Sequence, residues 1–330
     1  MRLRSLFFFV FYAFSGHALF SQEMLILFPD TLEAGIMRYA SLRRQTGLHV
    51  RLSPLRSSRP AGSHDLLQLI REANDSLALD YVLLAGPAAA LPPFRNALGS
   101  LSDYPYTLPD STGPRLAVGR LPVMNRVQLA RYTKRVAGRD MNAAGRKVLI
   151  LPGRNEHSRA EAYQRSLSAR GIPSEIIGQA APQERSCGLF VYIGQGSSRA
   201  WLDAGINTLT ADSLFRISAS VILGIACSTA AIAESHSLAM KLLFDQKGPL
   251  HLIGCAGNCL LDESARMGSF IIAQWEAGKP IGDMLKEAER TYLRQGGNAE
   301  KMEHTLGEFL LWGDPSLVPF TENSGHEQRK

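Results

Sequence analysis

Two stretches of the chain end an apolar run in a cluster of small residues: Val191-Tyr-Ile-Gly-Gln-Gly-Ser-Ser-Arg-Ala-Trp201 and Gly224-Ile-Ala-Cys-Ser-Thr-Ala230. A buried parallel strand delivers a functional loop in this way, at its carboxyl end. The second stretch carries Cys227, whose thiolate attacks carbonyl carbon; the plainer role for the same residue is a small buried hydrophobe. The first carries Gln195 between two glycines. A primary amide has one acceptor oxygen and two donors, so it can orient a carbonyl but cannot take up and return a proton near neutrality. Other chemistries are poorly served. Cys187, Cys227, Cys255 and Cys259 form no Cys-x-x-Cys pair and no strong zinc spacing. There is no Gly-x-Ser-x-Gly nucleophile turn, and Gly194-Gln-Gly196 lacks the third glycine of a dinucleotide loop. No metal and no cofactor is expected.

Short apolar runs alternating with segments of helical spacing must position these loops. Strands are predicted at 24–28, 48–52, 81–85, 115–119, 147–151, 173–177, 188–193, 221–225 and 250–254. Helices are predicted at 31–46, 64–74, 125–137, 156–170, 237–246, 262–277 and 281–294. This is the pattern of a parallel α/β sheet with crossover helices. It restarts after the glycine-bearing joint Gly138–Gly145, which places a subdomain boundary near residue 140. Cys187 and Cys255, on or beside strands, read as core; Trp201 reads as packing beneath its loop, with a substrate subsite as the other possibility.

The amino terminus is different in kind. Arg2 and Arg4 precede Leu6-Phe-Phe-Phe-Val-Phe-Tyr-Ala-Phe14, and small residues follow. A basic head, a short apolar centre and a small-residue end describe a signal peptide, with cleavage after Ala18 or Ser21; a retained anchor is disfavoured by the run's length. The protein is therefore expected to be exported, periplasmic or extracellular. The net charge of +6 is spread over scattered arginines without interleaved aromatics, so no nucleic-acid partner is expected.

The two loop segments resemble the active-site segments of the gingipain-type cysteine peptidases, a family with a caspase-like fold. There the first segment reads Tyr-x-Gly-His-Gly-Ser and holds the general-base histidine; the second sets the nucleophilic cysteine after an apolar strand. Further likenesses lie, in order, at Tyr81-Val-Leu-Leu-Ala-Gly86, at Leu116-Ala-Val-Gly-Arg-Leu-Pro-Val123 and at Trp312-Gly-Asp-Pro-Ser-Leu317. The acidic loop before the second of these keeps only Asp110, and Pro87 replaces the acid of the family's Gly-Asp.

The resemblance implies an α/β fold of caspase-like type, with two adjacent mostly parallel sheets flanked by helices in a three-layer sandwich. The division it suggests is a signal peptide at 1–21, an amino-terminal subdomain at 22–140, a catalytic-like subdomain at 141–318 and a polar tail at 319–330. It puts Cys227 at the nucleophile position and Gln195 at the position of the general-base histidine. The backbone N–H groups of Gly196 and Cys227 stand at the oxyanion hole, and the ligand is a polypeptide or peptide-like molecule. A positioned general acid–base is worth about 10²–10⁴ in rate. Two expectations follow: a pseudopeptidase or weakly active domain, or an active cysteine endopeptidase with a different proton-transfer partner, for which His236 is the first candidate.

Overall fold

Alternate residues of single strands lie in different hydrophobic clusters, and that sets the architecture. In the first strand Met24, Ile26 and Phe28 enter one cluster and Leu25 and Leu27 another; in the strand at 148–152, Leu149 and Leu151 enter the first and Val148 and Ile150 a third. Strands buried on both faces belong to a sheet covered by helices on either side.

The computed structural model describes residues 22–58, 61–96, 99–138, 145–178, 185–210, 217–232 and 236–321. The expected signal segment, most of the joint after Gly138 and the tail beyond 321 lie outside the described residues. Ten strands form one sheet: β1 (Glu23–Pro29), β2 (His49–Leu55), β3 (Tyr81–Ala85), β4 (Ala117–Leu121), β5 (Val148–Pro152), β6 (Ser174–Ile176), β7 (Arg185–Ile193), β8 (Ile217–Ile225), β9 (His251–Cys255) and β10 (Phe309–Trp312). Their order is β2-β1-β3-β4-β10-β9-β8-β7-β5-β6. Every neighbouring pair is parallel except β9 with β10. The two mostly parallel sheets are thus joined edge to edge, and the blocks run in opposite directions on either side of that seam.

Helices α1 (Glu33–Arg44), α3 (Arg126–Ala137) and α5 (Leu238–Phe244) cover one face. The other carries α2 (Ser63–Leu77), α4 (His157–Ala169), α6 (Leu261–Ala273), α7 (Ile281–Arg294) and α8 (Ala299–Glu308). The result is the three-layer sandwich. The helix α8 and strand β10 have no counterpart in the sequence reading. Asn298 caps α8, accepting from the Lys301 N–H at 3.0 Å. Strands β7 and β8 begin earlier than their apolar runs because Ile217, Ser218 and Ala219 pair with Arg185, Ser186 and Cys187; backbone pairing, not apolar content, extends them.

A polar cluster fastens the sheet at the amino end of β9. The buried Asp314 carboxylate takes an ion pair from Arg43 at 3.0 Å, the Tyr39 hydroxyl at 2.5 Å, and the N–H and hydroxyl of Ser316 at 2.8 and 2.6 Å. Beside it Arg120, 1% exposed, donates to both carboxylate oxygens of Asp103 at 2.6 Å and to the Leu91 carbonyl. Arg120, Asp314 and Ser316 come from the Gly-Arg-Leu-Pro and Gly-Asp-Pro-Ser segments, which meet in space: a Cβ on Gly119 would stand 2.3 Å from the Gly313 carbonyl oxygen. Both motifs serve the fold.

Candidate active site

At the opposite, carboxyl end of the β7–β8–β9 block, the two small-residue segments come together. The Gly194 N–H donates to the Ile225 carbonyl at 3.2 Å, linking the ends of β7 and β8. Gly196 is so close to the second segment that a Cβ there would lie 2.7 Å from the Ala226 Cβ and 3.0 Å from the Cys227 carbonyl. Only glycine permits that approach. After Cys227 the chain turns sharply, with Ser228 in the left-handed region at φ 54°, a conformation that costs a non-glycine residue about 1 kcal/mol or more. The Ser228 N–H donates to the Gly257 carbonyl at 2.8 Å and the Ala230 N–H to the Cys255 carbonyl at 2.8 Å, so the turn is held by the loop that follows β9.

The backbone of Gln195 is fixed while its side chain is free in solvent. Its N–H donates to Asp203 Oδ2 at 2.8 Å; its carbonyl accepts from the Tyr192 hydroxyl at 2.7 Å and from the Leu202 N–H at 2.9 Å. Gln195 is exposed. Gly196 faces Trp201 across a small hairpin. The Leu202 N–H bond to the Gln195 carbonyl closes the open end of that hairpin. Trp201 is fully buried, stacked on Tyr192 at 4.6 Å and on Phe190 at 6.0 Å. It packs beneath the loop and lines no subsite.

Cys227 meets another thiol. Its Sγ lies 3.3 Å from Cys259 Sγ and accepts the Cys259 N–H at 3.3 Å. Both are half-buried, whereas Cys187 and Cys255 are fully buried, as read from the sequence. The hydrogen bond to Cys259, with burial added, pushes the Cys227 thiol well above the usual thiol range. The bond to Cys227 pulls the Cys259 thiol down, but the contact with Cys255 and burial outweigh it and leave that thiol at about 12. No cation among the described residues is bonded to Cys227, and the raised thiol value favours its protonated form.

No histidine supplies that cation among the described residues. His236 sits exposed in the turn before α5, with no hydrogen bond to Cys227. His251 is buried in β9 and bonds the Asp314 carbonyl at 3.0 Å. His304 is buried in α8 and bonds the Asn258 carbonyl at 2.9 Å. One turn on, the fully buried Glu308 accepts the Gly257 N–H at 2.6 Å and Asn96 Nδ2 at 3.1 Å. These two residues shape the loop that carries Cys259. Their i, i+4 spacing after the Asn298 cap was the available signal. Among the described residues no group of three His, Cys, Asp or Glu side chains is arranged for a metal ion.

The fold and site define a caspase-like protease fold. A solved structure described as "Structure of Protease" superposes with a TM-score of 0.74 at 13% identity, over 90% of this chain and 78% of that one. The sequence model of peptidase family C25 matches residues 17–320. The chain belongs to that family, the gingipain family, and is a gingipain-like cysteine peptidase domain whose family acts on polypeptides. No curated protein sequence matches the chain. A periplasmic ribose ABC transporter from Conexibacter woesei covers 78% of this chain and 87% of its own at 12% identity. A D-isomer specific 2-hydroxyacid dehydrogenase from Lactobacillus delbrueckii covers 83% and 99% at 12%. With TM-scores of 0.20 and 0.23 neither bears on the fold.

Proposed function

We propose that this chain is an exported C25 domain that binds polypeptide at the Gly196–Cys227 cleft and hydrolyses it weakly or not at all. In this reading Cys227 stands at the nucleophile position, Gln195 replaces the general-base histidine, and the N–H groups of Gly196 and Cys227 face the carbonyl oxygen of a bound peptide. The observation that carries it is the surroundings of the Cys227 sulfur: a second thiol at 3.3 Å, with an exposed amide at the histidine position. Acyl transfer from an amide needs a proton taken from the thiol and one given to the leaving nitrogen. Gln195 supplies neither. What remains is a backbone arrangement suited to holding a carbonyl.

The test is hydrolysis of a broad fluorogenic peptide library by reduced wild-type protein and by Cys227→Ala from neutral to acidic pH. No turnover above the Cys227→Ala background, with peptide binding retained in both, supports the proposal. Efficient turnover lost in the variant establishes the second expectation, an active endopeptidase with another proton carrier. Export is checked by fractionating expressing cells and sequencing the mature amino terminus; a start at Leu19 or Gln22 agrees with cleavage after Ala18 or Ser21, and a retained Met1 overturns it.

A further inference from the structure

We propose that Cys227 and Cys259 are a redox pair that closes to a disulfide, masking the nucleophile position, and reopens on reduction. The masking half of this proposal rests on the reading of Cys227 given above; the redox half does not.

The geometry is already most of the way there. The sulfurs are 3.3 Å apart, and a disulfide needs about 2.05 Å, so closure asks for an approach of little more than 1 Å. Both residues lie in loops, Cys227 after β8 and Cys259 between β9 and α6, where that movement breaks no strand or helix ladder. The loops are also prevented from drifting apart. The Gly257 carbonyl takes the Ser228 N–H, Glu308 holds the Gly257 N–H, His304 holds the Asn258 carbonyl, and the Cys259 N–H points at Cys227 Sγ. Residues 32 apart in sequence are thus held together before any bond forms, and the entropy of bringing them together is spent in folding. Selectivity follows from access. Cys227 and Cys259 are the half-buried thiols, while Cys187 and Cys255 are fully buried and Cys255 is engaged with the Ser264 hydroxyl at 3.8 Å.

The oxidant is a small-molecule disulfide, R–S–S–R. The Cys227 thiolate attacks one of its sulfurs, forming a mixed disulfide and releasing one thiolate, which takes up the proton that Cys227 lost. The Cys259 thiolate then attacks Cys227 Sγ and expels the second thiolate, which takes the Cys259 proton. Two protein thiols and one R–S–S–R become one Cys227–Cys259 disulfide and two R–SH; the protein gives up two electrons and two protons and the small disulfide is reduced. Because both thiols are held protonated, the first attack is slow at neutral pH and quickens as pH rises.

The experiment uses the whole purified protein equilibrated in buffers of graded reduced to oxidised glutathione, quenched with acid, alkylated and mapped by mass spectrometry. The expected result is a linked peptide pair joining Cys227 to Cys259, reversed by reductant. Cys259→Ala and Cys259→Ser should instead stop at a glutathione adduct on Cys227, with circular dichroism showing that both remain folded. Four free thiols under excess oxidised glutathione, or a linkage joining another pair such as Cys255 and Cys259, overturns the redox pair. The masking is read separately, from peptide hydrolysis by Gln195→His in its oxidised and reduced forms. Turnover confined to the reduced form supports masking. Equal turnover in both forms, or none in either while the disulfide forms, overturns masking and leaves the redox pair standing.

Discussion

The two ends of β9 carry opposite kinds of polar chemistry. At the amino end Asp314 gathers Tyr39, Arg43 and Ser316, and Arg120 grips Asp103 through two bonds, all of it buried. At the carboxyl end Cys227 is half-buried and faced by another thiol, and on the proposed reading Gln195 takes the histidine position. Both ends are built from segments that resemble the gingipain pattern. In this lock each buried charge stands against an opposite one, Arg43 against Asp314 and Arg120 against Asp103, and a buried charge without such a partner costs several kcal/mol. Gln195 is held by its backbone and is exposed, so the fold makes little demand on its side chain. On the proposed reading, the segments at the carboxyl end are the ones that bear on activity.

Substitutions at the two ends should separate by size. Asp314→Ala strands Arg43 in the core and should lower stability by about 3–5 kcal/mol, read from urea midpoints, while Cys227→Ala should change it by about 1 kcal/mol or less. Similar losses at both ends would break the distinction. A smaller effect sharpens the meaning of pairing at the lock. Glu289, buried on α7 beside a small cavity shared with Asp103, Tyr104 and Lys286, is pushed up to about 8 by burial. A carboxyl raised in the folded state contributes fully below its unfolded value and loses that contribution as pH rises through the folded value. Stability should thus fall by up to about 4 kcal/mol between about pH 5 and 8, and Glu289→Gln should flatten the profile.

Gly196→Ala comes next, at about 1–3 kcal/mol, because its new methyl meets Ala226 and Cys227; an unchanged midpoint would mean that the two loops are not pressed together. The smallest effect concerns the thiol alone. Alkylation of Cys227 by iodoacetamide should keep rising well above the usual thiol pKa of about 8.5. Cys259→Ala should move that profile to lower pH by removing the hydrogen bond that raises it. A plateau near neutrality in the wild type would place a cation beside Cys227.

Much of the sheet was legible in the sequence because runs such as Met24–Phe28, followed by Pro29, and Val221–Ile225, followed by the small residues Ala226-Cys227-Ser228, are apolar on both faces. The helix α8 was not, because Gly296-Gly297 reads as a loop and its inward residues include His304, Thr305 and Glu308. Polar residues facing inward defeat an apolar periodicity. The closeness of Gly196 to Cys227 came from resemblance, and parallel pairing of β7 with β8 explains it physically. The partnership of Cys227 with Cys259 was out of reach. It depends on how the 257–259 loop is tied down by His304 and Glu308, residues from an element the sequence did not announce.

On the proposed reading, the Gly196–Cys227 cleft lacks a proton carrier. The most direct measurement is steady-state peptide hydrolysis by reduced wild-type protein, Gln195→His and the double variant Gln195→His with Cys227→Ala. The account predicts that Gln195→His exceeds wild type by about 10²–10⁴ and that the double variant loses the gain. Wild-type turnover equal to that of Gln195→His, and abolished by Cys227→Ala, would contradict it.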